Sequence, residues 1–311
     1  MTTPASARDA RLVRALDALA GLSVGDAFGE LFFGPPGYPQ ELIATRRLPY
    51  SMWRYTDDTA MALSITDELR ERGEIDRDAL AARFAASWVR EPGRGYGGGA
   101  QGILRALAAG RPWREAAALP FGPDGSFGNG GAMRAAPLGG YFACDLERLC
   151  EQAALSAEVT HLHPEGQAGA IAVALAAAYA WLHAHRPADV RGVDLLEFVA
   201  RRMPSGVTRD GVQAARALPA DTPVPRAAEI LGSGSRVSAM DTVPYCLWSA
   251  RRHLTDYEAA LWSTVAGLGD RDTTCAIVGG IVALRVGRHG IPENWLALRE
   301  GLPGRYVRVE A

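Results

Sequence analysis

The sequence feature that most constrains the fold is a long alanine-rich segment near the middle of the chain. It runs from Ala168 to Leu182 without a charged residue. A helix of this composition is apolar on nearly all sides, so other elements have to surround it. Pro164 suits the first position of that helix. The segment therefore predicts the buried central helix of a bundle, and it is shorter than the roughly 20 helical residues that a bilayer requires.

Helical periodicity also dominates the rest of the chain, and strict apolar–polar alternation is nearly absent. A stripe of leucines at positions 12, 16, 19 and 22 predicts a first helix that leads into Gly25-Asp26-Ala27. The same reasoning predicts helices over 58–73, 76–90 and 273–286, a capping box at Thr255 and Glu258, a glycine-rich turn over 93–102, an irregular stretch over 120–131 and short polar helices within 186–234. We therefore expect one all-α domain over residues 1–311, a compact orthogonal helical bundle with a metal site among helix N-termini and loops.

Composition excludes several classes of function. Apolar residues make up 48% of the chain and charged residues 22%, as in an ordinary globular protein. A net charge of −2 gives no electrostatic reason to expect a nucleic-acid or membrane partner. The sequence contains no lysine, which excludes a P-loop lysine and a Schiff-base lysine. The four cysteines form no CxxC pair and the N-terminus lacks a signal-like apolar region, so we expect a cytoplasmic monomer with free thiols.

Two acidic clusters lie far apart in the sequence, and each opens an otherwise apolar helix. They are Thr56-Asp57-Asp58-Thr59 and Gly269-Asp270-Arg271-Asp272-Thr273. One interpretation is that these residues only cap their helices, since Asp and Thr are favoured at helix N-termini. Two carboxylates in each cluster exceed what capping requires, however. If the two helices pack side by side, four carboxylates converge and need a cation, and oxygen ligands without His or Cys favour Mg²⁺ or Mn²⁺ over zinc.

A third feature is the glycine-rich segment Gly125-Ser126-Phe127-Gly128-Asn129-Gly130-Gly131, which Ala132-Met133-Arg134 follow. Closely spaced glycines let backbone N–H groups approach a phosphate, and a helix that begins after them adds a favourable dipole. Phe127 could stack on a base or sugar, or it could be a packing residue.

Five motifs in this order resemble the ADP-ribosylglycohydrolase family. They are Gly25-Asp26-Ala27-Phe28-Gly29, the Thr-Asp-Asp-Thr run at 56–59, Gly128-Asn129-Gly130 through Met133-Arg134 and Pro137-Leu138, Thr160-His161-Leu162-His163-Pro164, and Gly269-Asp270-Arg271-Asp272-Thr273. The resemblance covers roughly residues 12–284. It implies an all-α enzyme that removes ADP-ribose from a modified protein or from a small-molecule conjugate.

The resemblance also implies the roles of individual residues. Two Mg²⁺ ions, for which Mn²⁺ can substitute, would be held by Thr56, Asp57, Asp58, Asp270, Asp272 and Thr273. The diphosphate would lie on the loop from Gly125 to Gly131, with Ser126 and Asn129 as donors, and Met133 and His161 would complete the substrate-binding set. Asp26 would support the metal loops from behind. Asp57 or Asp58 would direct water at the anomeric carbon through an oxocarbenium-like transition state. His163 is interpreted as a helix cap.

One position departs from the family pattern. Many relatives carry a glutamate seven residues after the aspartate of the Gly-Asp motif, where this chain has Phe33. Glu30, four residues after Asp26, is the alternative carboxylate and completes our catalytic set with Asp57 and Asp58. Without the glutamate, the pocket has fewer groups that can transfer a proton. We therefore expect ADP-ribosyl-arginine to be preferred over ADP-ribosyl-serine as the substrate. The alternatives are an ADP-ribose-binding protein without turnover, and a hydrolase of free derivatives such as O-acetyl-ADP-ribose.

Overall fold

The fold is built from helices. A computed structural model describes residues 4–306, and within that range it contains α-helices and short 3-10 turns but no β-strand. The sixteen α-helices of the described residues are α1 (Pro4–Glu30), α2 (Tyr38–Thr45), α3 (Asp57–Glu71), α4 (Arg77–Arg90), α5 (Gly98–Ala108), α6 (Trp113–Ala118), α7 (Ala136–Tyr141), α8 (Leu146–Glu158), α9 (Pro164–His185), α10 (Leu195–Ala200), α11 (Val207–Ala217), α12 (Val224–Leu231), α13 (Ala239–Arg252), α14 (Tyr257–Val265), α15 (Arg271–Val286) and α16 (Glu293–Leu298). The all-α prediction is confirmed. The ends of the predicted domain, residues 1–3 and 307–311, lie outside the described residues.

The central helix is α9, as its apolar composition predicts. Helices α7, α8, α10, α13 and α15 pack around it. By length and composition α9 could cross a membrane, but 78% of its most apolar window is buried inside the protein. The structure also begins α9 at Pro164, and the imidazole Nδ1 of His163 accepts a hydrogen bond from the Glu165 N–H at 3.1 Å, which is the predicted cap.

The most extensive helix packing within residues 4–306 joins α1 to α15, and glycines lie at the contact. Gly21, Gly25 and Gly29 are spaced four residues apart on one face of α1. A Cβ added at Gly25 would lie 2.1 Å from the carbonyl oxygen of Cys275, and one added at Gly29 would lie 2.2 Å from that of Arg271. Because no real Cβ fits at such distances, the two backbones meet directly. This contact brings the end of α1 next to the start of α15.

An aromatic cluster fixes the segment that precedes α3. Phe28 stacks on Trp295 at 4.8 Å between ring centroids and contacts the edge of Trp53 at 6.2 Å. The backbone N–H of Trp53 donates to the carbonyl of Leu298, and that of Glu300 donates to the carbonyl of Trp53. The C-terminal part of the described chain thus holds residues 53–56 in place.

The first helix leads into Gly25 and Asp26 and continues to Glu30. Two predicted boundaries were wrong. Helix α14 is capped by Asp256, whose carboxylate accepts from the Ala259 N–H at 2.9 Å, and not by Thr255. The glycine-rich turn ends at Gly97, because α5 starts at Gly98 and buries Ile103, Leu104 and Leu107. This burial outweighs the low helix propensity of glycine.

We predict opposite effects for two glycine-to-alanine substitutions in helices. Gly25→Ala should lower the free energy of unfolding by about 1–3 kcal/mol, because its methyl group would force α1 away from α15. Gly102→Ala is the control, since a Cβ there meets no atom within 4 Å. It should raise the free energy of unfolding by about 0.5–1 kcal/mol. Denaturant unfolding of both variants checks this, and equal stabilities would contradict the direct backbone contact.

Candidate active site

Asp26 organises the start of α3. Its carboxylate is fully buried and accepts hydrogen bonds from the backbone N–H groups of Thr56 and Thr59, each at 3.0 Å. The hydroxyl groups of the same two threonines lie 2.9 and 2.5 Å from it. Burial raises the pKa of Asp26 to about 6, although these hydrogen bonds act in the opposite direction. Asp26 therefore joins α1 to the first turn of α3, as expected for a supporting residue.

Helix capping accounts for only part of the first acidic cluster. Thr56 is the N-cap of α3, and its hydroxyl oxygen accepts from the Asp58 N–H at 3.4 Å. Asp57 and Asp58 follow it in the first turn, where their charges complement the helix dipole. Their side chains are left available for another role.

The second acidic cluster opens α15 in a similar way. Asp270 occupies the N-cap position but makes no capping hydrogen bond. Its Oδ2 instead accepts from the side-chain amide of Asn129 at 2.6 Å. Asp272 lies in the first turn of the helix. The capping interpretation therefore explains neither cluster completely.

The structure brings the two clusters together. The Thr273 hydroxyl lies 3.5 Å from Asp58 Oδ2, and the Thr56 hydroxyl lies 3.0 Å from the same oxygen. Asp58 Oδ1 and Asp272 Oδ1 are buried without a hydrogen-bond partner. Two unpartnered buried carboxylate oxygens mark a place where negative charge lacks compensation.

The pKa values of the aspartates indicate the same shortage of positive charge. Burial and then the neighbouring Asp26 carboxylate raise the pKa of Asp57 to about 7. Burial, followed by the surrounding carboxylates, raises the pKa of Asp58 and of Asp272 well above 3.8. Such shifts arise when several carboxylates share a buried site with too little positive charge nearby.

These residues fit a hard divalent cation. The predicted ligand set supplies carboxylate and hydroxyl oxygens, which Mg²⁺ and Mn²⁺ prefer. Within residues 4–306, no three His, Cys, Asp or Glu side chains already surround one point as ligands. Thr56 and Thr273 are not of those types, and they hydrogen-bond to Asp58 in the ion-free arrangement. The unpartnered oxygens and the raised pKa values are what a cation would relieve.

The glycine-rich loop lies against the metal-site residues, and two of its glycines also make close contacts with residues 157–166. Asn129 joins the loop to Asp270 and also donates to the Thr242 hydroxyl at 3.1 Å. A Cβ added at Gly125 would lie 2.4 Å from that of Leu162, and one added at Gly131 would lie 3.0 Å from that of Ala157. The absence of side chains therefore allows the loop to rest on residues 157–166.

The remaining loop residues take distinct positions. The Ser126 hydroxyl accepts from the Gly128 N–H at 3.0 Å inside the loop. Phe127 is 47% exposed and contacts the edge of the His163 ring. Met133 is buried beneath the loop. His161 is also buried, and a Cβ added at Gly130 would lie 2.9 Å from its Cε1.

A cleft of about 510 Å³ opens beside the acidic clusters. It is lined by Glu30, Phe33, Arg54, Tyr55, Thr56, Gly93, Arg94, Gly95, Asp270 and Asp272. Glu30 and Phe33 thus face the same space as three predicted metal ligands, whereas the loop 125–131 contributes none of the lining. A larger surface groove of about 1010 Å³, beside residues 255–258 and 286–297, contains no predicted site residue.

Sequence reasoning missed Arg94, which forms one wall of this cleft. Its guanidinium donates to both carboxylate oxygens of Glu300, at 2.7 and 2.8 Å, and lies 4.0 Å above the Tyr55 ring. It also donates to the backbone carbonyl of Tyr55 at 3.1 Å. The only signal for Arg94 was its place within the glycine-rich turn, because Glu300 is far away in the sequence.

Comparison with known proteins gives a consistent result. The family model described as ADP-ribosylglycohydrolase matches residues 7–310, more of the chain than the motifs cover. The chain is 28% identical to the ADP-ribosylhydrolase ARH3 of Gallus gallus, over 89% of this chain and 86% of the relative. It is 27% identical to the ADP-ribosyl-[dinitrogen reductase] glycohydrolase of Rhodospirillum rubrum, over 95% of this chain and 93% of the relative. A solved structure titled ADP-ribosylglycohydrolase-related protein complex is 25% identical, with a TM-score of 0.63 and 94% of both chains covered.

We predict that the ion-free protein loses stability as the pH rises. An aspartate whose pKa is raised from 3.8 to about 7 keeps its proton in the folded state at pH values where the unfolded chain has released it. The free energy of unfolding should therefore fall between about pH 4 and pH 7. Thermal unfolding in EDTA measures this fall, and saturating Mg²⁺ should reduce it.

Two variants isolate the contribution of the cluster. Asp57→Asn should make the fall in EDTA shallower, because the amide does not titrate. Asp189→Asn should keep the wild-type slope, since Asp189 is exposed and lies in a surface ion pair with Arg186. If stability fell equally with pH in the wild type and in both variants, the shortage of positive charge around Asp57 would be contradicted.

Proposed function

The chain belongs to the ADP-ribosylglycohydrolase family, and we propose that it is a Mg²⁺-dependent hydrolase that cleaves the bond between ADP-ribose and a modified protein side chain. The chain is a glycosidase of the ADP-ribosyl hydrolase type, as its relatives are. The observation that carries the metal proposal is the pair of buried, unpartnered oxygens on Asp58 and Asp272. A protein has little reason to bury such groups unless they bind a ligand.

The proposed ion site consists of Thr56, Asp57, Asp58, Asp270, Asp272 and Thr273, with room in this set for two Mg²⁺ ions or for Mn²⁺ in their place. When bound, divalent ions supply positive charge that polarises oxygen ligands and neutralises the carboxylates. Asn129, through its hydrogen bond to Asp270, keeps the glycine-rich loop beside this charge. We therefore expect the diphosphate at Gly125–Gly131 and the distal ribose toward the acidic clusters.

Of the two candidate carboxylates, Asp57 suits the water-directing role better than Asp58. Both oxygens of Asp58 lie deep, and Thr56 and Thr273 approach its Oδ2. Asp57 Oδ1 lies 3.8 Å from the place where a Cβ of Gly95 would be, and Gly95 lines the cleft. A carboxylate at this position can take a proton from water while water attacks the anomeric carbon, and its charge stabilises the oxocarbenium-like transition state.

We predict that turnover requires a divalent cation and Asp57. EDTA should abolish release of ADP-ribose from modified protein, and Mg²⁺ or Mn²⁺ should restore it. Asp57→Asn should lower kcat by roughly 10²–10⁴-fold, the usual contribution of a general base. Asp272→Ala should lower affinity for the cation, and Asp189→Asn should change neither quantity. The proposal fails if an anomalous map of Mn²⁺-soaked crystals has no peak between Asp58 and Asp270.

The linkage preference depends on the proton donors in the cleft. Glu30 lines the cleft, and burial together with Asp26 raises its pKa, which Arg271 opposes. The exposed Phe33 ring provides no second carboxylate. A serine alkoxide needs a proton to depart, whereas the guanidine of an arginine linkage is a better leaving group. We therefore propose an arginine-type linkage as the preferred substrate.

We predict that Glu30→Gln slows hydrolysis by roughly 10²–10⁴-fold if Glu30 replaces the carboxylate absent at position 33. Glu41→Gln, which changes an exposed glutamate on α2, is the matched control. Both variants and the wild type should be assayed on arginine- and serine-linked ADP-ribose. Faster release of ADP-ribose from serine than from arginine would contradict the linkage preference. Full activity of Glu30→Gln would remove Glu30 from the catalytic set.

Two other outcomes would identify the alternative functions. If ADP-ribose binds but no linkage is cleaved, the chain is a binding protein of this fold. The missing carboxylate at Phe33 would then explain the lack of turnover. If only O-acetyl-ADP-ribose is hydrolysed, free derivatives are the substrates. The names of the relatives, hydrolase and glycohydrolase, favour turnover.

A further inference from the structure

A chain of three side chains connects the protein interior to the glycine-rich loop. The Arg134 guanidinium donates to the Thr160 hydroxyl oxygen at 2.8 Å and to the Ser156 carbonyl at 3.0 Å. The Thr160 hydroxyl oxygen lies 2.7 Å from Nδ1 of His161. Arg134, Thr160 and His161 are all buried. The family resemblance gives His161 a role in ligand contact but assigns none to Arg134 or Thr160.

The chemistry of the three side chains determines which group donates each of these hydrogen bonds. A guanidinium can only donate hydrogen bonds, so the Thr160 oxygen accepts from Arg134. The hydroxyl proton of Thr160 then needs an acceptor, and Nδ1 of His161 is the acceptor within reach. If Nδ1 carried a proton instead, two N–H groups would point at one oxygen and the buried hydroxyl proton would have no partner. The arrangement therefore favours the tautomer of His161 that carries its proton on Nε2.

Arg134 also disfavours a second proton on His161. Its guanidinium lies in an apolar layer, 4.6 Å from the centre of the Phe84 ring, and its hydrogen-bond partners are uncharged. A buried positive charge so near opposes an imidazolium. Burial and then Arg134 lower the pKa of His161 to about 3.

The packing around His161 turns Nε2 toward the loop. Nε2 would lie 3.2 Å from a Cβ added at Gly128 and equally close to one added at Gly130. On its other side, Cβ of His161 would lie 3.0 Å from a Cβ added at Gly166. The ring is thus confined between three glycines. Nε2 makes no hydrogen bond to any residue from 4 to 306.

We propose that Thr160, oriented by Arg134, is a positioning residue that holds His161 as a neutral Nε2–H donor for an acceptor oxygen of the diphosphate of ADP-ribose. This inference rests on the proposed function, since it takes ADP-ribose to lie on the loop 125–131. Thr160 acts through His161 and does not touch the ligand. A neutral donor with a fixed proton loses little orientational freedom when the ligand binds.

The test compares three variants in ADP-ribose titration calorimetry. Thr160→Val removes the hydroxyl at constant volume and should weaken binding about tenfold or more, as expected for the loss of one well-placed hydrogen bond to an anion. Thr160→Ser keeps the hydroxyl and should bind as the wild type does. Thr264→Val is the control for lost stability, because Thr264 is a buried threonine with hydroxyl contacts to Ser249 and Ala260.

Nitrogen NMR provides a readout that a purely structural role would not change. The His161 signal is assigned as the one that is absent from the spectrum of His161→Asn. In the wild type it should show one tautomer, with Nε2 protonated. In Thr160→Val it should show a mixture of both tautomers. Wild-type affinity in Thr160→Val, equal losses in Thr160→Val and Thr160→Ser, or an unchanged tautomer in Thr160→Val would each overturn the inference. If the wild type itself does not bind ADP-ribose, the proposed function fails instead.

Discussion

The direct backbone contact between α1 and α15 is the constraint on which the site depends. Gly25 and Gly29 let α1 approach α15 so closely that no side chain fits between them. Asp26, which lies between these two glycines in the sequence, is then close to the first turn of α15 while it binds the first turn of α3. Two helices that begin far apart in the sequence therefore start at the same place. A looser α1–α15 contact would separate the carboxylates even if every ligand residue were unchanged.

This convergence has an energetic cost that protonation of the carboxylates or a bound cation can offset. Asp26, Asp57 and Asp58 are buried together, and burial raises the pKa of each of them. The hydrogen bonds from Thr56 and Thr59 stabilise Asp26 but leave one oxygen of Asp58 without a partner. Under the proposed function, a bound cation offsets this cost at pH values where the carboxylates are charged. A cation that binds there releases protons as well as forming new bonds, so its affinity and the pH are linked.

The sequence predicts those parts of the fold that depend on local patterns. The uncharged composition of residues 168–182 indicates a surrounded helix, and α9 is one. Local patterns fail where tertiary contacts decide. Gly98 and Gly102 look like turn residues, but the burial of Ile103 and Leu104 makes their segment helical. In the site, the two acidic clusters could be identified from their spacing, whereas the pairing of Arg94 with Glu300 could not, since 206 positions separate the two residues.

Phe33 has a second effect that concerns charge at the mouth of the cleft. Arg271 lies between Asp270 and Asp272 in the sequence, and a guanidinium among these carboxylates would compete with a metal ion. In the structure its guanidinium lies 4.1 Å above the centre of the Phe33 ring. The Phe33 ring, which lines the cleft, therefore contacts the arginine through a cation–π interaction. A glutamate at position 33 could reach the ion site, but it could also pair with Arg271. Burial lowers the pKa of Arg271, and Asp272, Asp270 and, more weakly, Glu30 oppose this shift. Phenylalanine at position 33 therefore contributes no charge to the cleft, and its ring contacts Arg271 while that guanidinium stays within the field of Asp272 and Asp270.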